Sequence, residues 1–189
     1  MRFSELGFHH IIGLDHILFV VALVLTFKTF RDVLKTVTIF TLAHSVTLGL
    51  TAFHVISVPP IVEPLIALSI AYVAVESFII RQQKARPFVV FGFGLMHGIG
   101  FAGALELTGS FKASSMLSLA AFNIGVEIGQ LLVIGLLFPL LFYIRKFKWS
   151  GPVQAAAMVS VFDFGFFWYW EPMHAYWNEA LKGVMRLGQ

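Results

Sequence analysis

The chain has 189 residues, of which 58% are hydrophobic and 12% charged, with seven histidines, no cysteine and a formal net charge of +3. That balance is one of an integral membrane protein, and it gives no support to nucleic-acid binding. With no cysteine there is no disulfide, thiolate ligand or thiol redox chemistry, so any metal is held by nitrogen and oxygen donors.

Six apolar stretches approach the ~20 residues that cross hydrocarbon, at roughly 7–27, 34–56, 61–80, 87–109, 114–144 and 152–170. Each is read as a helix, because only a helix satisfies its own backbone hydrogen bonds in lipid. The expected fold class is therefore all-α: a polytopic, multi-pass membrane protein forming a single transmembrane domain over 1–189. The first stretch is interrupted by His9, His10, Asp15 and His16 and is followed by no small-residue cleavage pattern, so it reads as a retained helix.

Connections alternate in charge along the chain. Lys28, Arg31 and Lys35 follow the first span, Arg81, Lys84 and Arg86 the third, and Arg145, Lys146 and Lys148 the fifth, nine of the thirteen basic residues in all. The intervening connections carry only Lys112, so the positive-inside rule predicts both termini outside the inner membrane. Trp168, Tyr169 and Trp170 then mark an outer interfacial belt and Trp149 an inner one. Beyond Pro172, mixed charge over 173–187 predicts a short helix lying on the outer surface.

Within that frame, a rise of about 1.5 Å per residue puts His16, His44, His97, Glu127 and Asp163 at similar depth near the middle of the bilayer. Asn123, Glu127 and Gln130 share one helix face, as do Thr41, His44, Thr47 and Thr51. Asp15 and His16, rotated about 100° from one another, are not expected to pair directly, so Asp15 is assigned to a contact with another helix. Ser45 beside His44 makes no nucleophile–base pair for the same reason. Gly94, Gly98, Gly100, Gly103 and Ala104 leave room for close helix approach around His97. Glu63, before Pro64, suits a helix N-terminus, and Glu76 is placed to meet Arg81. A single membrane histidine is as readily an interhelical hydrogen-bond partner as a ligand, but a set on four helices at one depth favours a functional site.

Imidazole and carboxylate together suit a borderline divalent cation such as Ni²⁺, Co²⁺ or Zn²⁺ better than Mg²⁺, which prefers oxygen and keeps its waters. The same residue types serve a transporter or a membrane metallohydrolase with an open water position, so residue type leaves both readings standing. No Gly-x-x-x-x-Gly-Lys-Ser/Thr motif is present, so transport by this chain is passive or ion-coupled unless another subunit supplies energy.

The segments GFHHIIGLDHILFV, FTLAHSVTL, VEPLIALSIAYVAVE, FGFGLMHGIGFAGAL and FNIGVEIGQ, in that order, resemble the HupE/UreJ hydrogenase and urease accessory membrane proteins. The resemblance implies a nickel or cobalt permease serving metalloenzyme maturation. The family pattern of a histidine, five residues, then Asp-His is met by His9, Asp15 and His16, with His10 as an alternative register. After His97-Gly98 the chain reads Ile-Gly-Phe-Ala-Gly-Ala-Leu-Glu, where better-known permeases place further histidine and glutamate. The expected metal ligands are His9 or His10, Asp15, His16, His44, His97 and Glu127, supported by Asn123, Ser45 and Gln130. The expected partners are the metal ion as substrate and the bilayer, with a homo-oligomer or maturation proteins left open. The alternatives are a membrane-embedded metal-dependent hydrolase using the same cluster and a non-transporting accessory subunit.

Overall fold

The computed structural model describes residues 14–79, 86–107 and 116–187. His9, His10, Arg81 and Lys112 lie outside the described residues. Six helices and no strand occur among the described residues: α1 (Leu14–Thr26), α2 (Phe30–Ala52), α3 (Val62–Ile79), α4 (Arg86–Leu107), α5 (Met116–Ile144) and α6 (Ser150–Leu187). Three of them, α2, α3 and the Leu119–Ile144 part of α5, are long and apolar enough to cross a membrane. Asp15–Thr26 of α1 and Arg86–Ala102 of α4 are shorter apolar helices.

In α1, Phe19 and Val20 are buried, and so are the consecutive Ala22, Leu23 and Val24. A helix apolar on every face belongs in the interior, and α1 accordingly packs against α2, α3, α5 and α6. The α2 start falls earlier than the apolar run suggests, because Thr29 accepts a bond from the Asp32 backbone N–H as N-cap.

The closest pairing in the bundle is α2 with α4. A Cβ at Gly94 would lie 2.5 Å from the Phe40 carbonyl oxygen, and one at Gly98 would strike Thr47 Oγ1 and the His44 carbonyl. This Gly-x-x-x-Gly stripe lets the backbones touch, the device that membrane helices use for close packing. Because Gly94 meets Phe40 and Ala43 while Gly98 meets His44 and Leu48, the two helices run parallel. Thr47 Oγ1 spans the seam to the Leu95 carbonyl at 2.6 Å. The α2 and α5 helices run antiparallel: Phe30 meets Phe138 and Thr41 meets Gln130, while Leu48 clusters with Phe122.

The helix expected separately at 173–187 is the continuation of α6, which runs unbroken from Ser150 to Leu187 with Pro172 inside it. Proline removes one hydrogen bond and crowds the carbonyl four residues back, which bends a helix that has other support without having to end it. That support includes α3, against which Gly165 packs at the Ala67 and Ala71 backbone.

Candidate metal centre

One end of the bundle opens into a cavity of about 350 Å³. Asp15, Glu63, Trp168 and Pro172 are among its lining residues, as are Gly100 and Phe101, and His16 and His97 line its deep part. Each comes from the matching end of its helix: the start of α1 and α3, the far half of α4, and the region of α6 before its last turns. Pro172, which lacks the N–H that an uninterrupted helix would bond to the Trp168 carbonyl, lines this cavity together with Trp168.

Three histidines form a buried layer beneath the opening. The His16 and His97 ring centroids lie 5.4 Å apart and those of His16 and His44 6.0 Å apart, and all three side chains are buried. An ion held tetrahedrally by two imidazoles at the usual metal–nitrogen distance of about 2.0–2.1 Å separates ring centroids by about 5 Å. The His16–His97 spacing is close to that value.

Each of these two rings has its Nδ1 committed to the protein. His97 Nδ1–H donates to the Phe93 carbonyl at 2.9 Å, while its Nε2 is buried and has no hydrogen-bond partner. His16 Nδ1 meets Asp15 Oδ2 at 3.1 Å. A carbonyl or carboxylate behind Nδ1 orients an imidazole and directs the Nε2 lone pair forward, as in the outer shell of many metal-binding histidines. The Asp15 contact corrects the sequence expectation that this acid would meet another helix. Asp15 lies in the first turn of α1, where its side chain swings along the axis to its neighbour despite the 100° offset.

One turn below the histidines lies a second layer. Phe19 follows His16 by three residues, and Phe40 and Phe93 precede His44 and His97 by four, so all three point the chain's apolar bulk toward the same end. Phe19 and Phe40 are 4.8 Å apart at their centroids, and Phe40 lies 5.1 Å from His97. Beyond this layer stands the buried Arg86–Glu76 ion pair at 3.0 Å, with Phe27 5.3 Å from the guanidinium. Arg86 thus takes the place expected of Arg81.

Other expected residues lie elsewhere. Glu127 is not among the residues lining the cavity; its Oε1 accepts from Thr38 Oγ1 at 3.5 Å in the α2–α5 seam. Gln130 accepts from Thr41 at 2.6 Å, Asn123 donates to the Leu119 carbonyl, and Ser45 donates to the Thr41 carbonyl. Asp163 is exposed on α6. Among the described residues no group of three or more His, Asp and Glu side chains stands in a metal-holding arrangement. Glu63, for which the sequence leaves a helix cap and a functional role both open, stands in the cavity wall.

Apolar helices long enough to cross a membrane, together with a buried imidazole layer beneath an open cavity, define a helical membrane protein. The chain belongs to the HupE / UreJ protein family, whose family model matches residues 1–172. No curated protein and no solved structure matches the chain.

Proposed function

We propose that the chain is an inner-membrane permease that carries a divalent transition metal, Ni²⁺ or Co²⁺, as its substrate. In this reading six helices cross the bilayer, both termini lie outside, and the cavity faces outward. The observation that carries the proposal is the buried, unpartnered Nε2 of His97, held in its tautomer by the Phe93 carbonyl and set 5.4 Å by ring centroids from the carboxylate-backed His16. A buried polar atom without a partner is costly, and a soft-to-borderline cation is the ligand that imidazole suits.

Asp15 and Glu63 at the cavity wall raise the local cation concentration. The cation exchanges water for His16 and His97, with His44 behind them. Few protein ligands with water in the remaining positions keep the ion releasable. The Phe19, Phe40 and Phe93 layer stands across the way onward, so passage requires the helices to rearrange around the histidines.

Proteoliposomes loaded with a metal-sensitive dye test this. Wild-type protein accumulates Ni²⁺ or Co²⁺, and His16→Ala and His97→Ala each reduce the initial rate by about tenfold or more, given that even outer-shell changes cost 10–100-fold in affinity. Unchanged flux in both variants, or bound metal with hydrolysis of lipid or peptide and no flux, overturns the proposal.

A further inference from the structure

The end of the bundle opposite the histidine cavity holds a second cleft, of about 490 Å³, between α1, α5 and α6. Lys28, Arg145 and Lys146 line it, and no acid does among the described residues. Its floor is built around Arg145. The guanidinium donates from Nη2 to the Leu25 carbonyl at 3.0 Å and the Val24 carbonyl at 3.4 Å, and from Nε to Gln154 Oε1 at 3.2 Å. The carbonyls belong to the last turn of α1, where a cation is favoured. All these partners are neutral, and burial without a carboxylate beside it pushes Arg145 below the usual guanidinium value.

Lys146 is held over aromatic faces, its Nζ 5.3 Å from the Phe142 ring centroid and 6.0 Å from that of Tyr143. Phe142 is exposed and lines the same cleft. A smaller cleft of about 260 Å³ shares Leu25, Thr26 and Gln154 with it and continues between Phe78, Ala155 and Met158. The joined space therefore has its cations at one end, while the other end carries no charged residue and includes the apolar Phe78, Ala155 and Met158.

We propose that this is a binding site for one anionic phospholipid, its phosphodiester between Lys28, Arg145 and Lys146 and its acyl portion against Phe142 and the apolar residues of the adjoining cleft. Basic pockets between membrane helices bind such headgroups because each cation near the surface adds attraction and the apolar walls hold the tails. A free inorganic anion uses only the cationic end. The inference needs membership of a membrane and not the metal reading, so it stands or falls separately.

Native mass spectrometry of the full chain in detergent, titrated with phosphatidylglycerol or with phosphatidylcholine of the same chains, tests it. The expected result is one retained phosphatidylglycerol, outcompeting phosphatidylcholine. Arg145→Gln also removes the cap on α1, so the deciding variant is Lys28→Gln/Lys146→Gln, at two exposed positions. It should weaken phosphatidylglycerol retention by well over about tenfold, at roughly fivefold per basic residue. Lys148→Gln, an exposed basic residue of the same end that does not line the cleft, should leave retention unchanged. Equal retention of the two lipids, an unchanged double variant, an equal loss in Lys148→Gln, or displacement by millimolar inorganic phosphate would each overturn the assignment.

Discussion

Replacing Asp15 by Asn separates a residue that orients a metal-binding histidine from one that binds the metal. Asp15 Oδ2 stands 3.1 Å from His16 Nδ1, and its side chain remains 35% exposed. Removing an outer-shell partner of this kind costs 10–100-fold in metal affinity. Asn keeps an oxygen acceptor at the same place and gives up only the charge, which solvent already screens in part, so the lower end applies: about tenfold, or about 1.4 kcal/mol. Asp15→Ala loses the acceptor as well, leaves the ring free to turn, and should approach a hundredfold. Titration of the purified protein with Co²⁺ measures both quantities, because the visible absorption bands report the donor set while the titration gives affinity. Asp15→Asn should weaken binding and keep the wild-type spectrum. An altered spectrum would show that the carboxylate itself coordinates, and unchanged affinity would show that the Asp15–His16 contact does nothing for the metal.

Gly98→Ala drives a methyl into Thr47 and the His44 backbone, so α2 and α4 must separate; a loss of about 1–3 kcal/mol is expected, read as a lower melting temperature in detergent with weakened Co²⁺ binding. Glu76→Gln strands the buried Arg86 charge and should cost about 3–5 kcal/mol, whereas Glu76→Leu combined with Arg86→Met should recover most of that loss; thermal denaturation of the three proteins decides it. Glu127→Gln should leave Co²⁺ affinity within about twofold, because this acid reaches Thr38 rather than the histidine cavity. A large loss there would place Glu127 among the ligands.

The helical elements were legible because apolar runs of near-membrane length stand between clusters of charge, and helix boundaries at α3, α4 and α5 fall within two residues of the expected ones. Three boundaries moved further: α2 ends four residues early, at Ala52, and the other two moved for local reasons. At α2 the Thr29 cap starts the helix before the apolar run does. At α6 the expectation of a break at Pro172 gave too much weight to one missing hydrogen bond and too little to the packing of α6 on α3, which composition does not display.

The candidate site was legible in depth and not in direction. Counting residues along antiparallel helices puts His16, His44 and His97 at one level, and the structure has them in one layer. It also put Glu127 at that level, and there the method reaches its end: residues on one plane still point to different sides of a bundle, and Glu127 turns to the α2–α5 seam. What separates the two outcomes is the glycine stripe. Gly94 and Gly98 draw α4 against α2 so that His97 enters beside His44, while α5 offers Phe122 and Val126, whose bulk packs against Leu48 and Ala102. Helix facing in this chain thus follows the small residues that permit backbone contact, and the polar residues are carried to wherever that packing leaves them. The same logic accounts for Glu63: Gly165 admits α6 to the Ala67 and Ala71 face of α3, and the cavity wall that Glu63 shares with Trp168 and Pro172 is set by that approach.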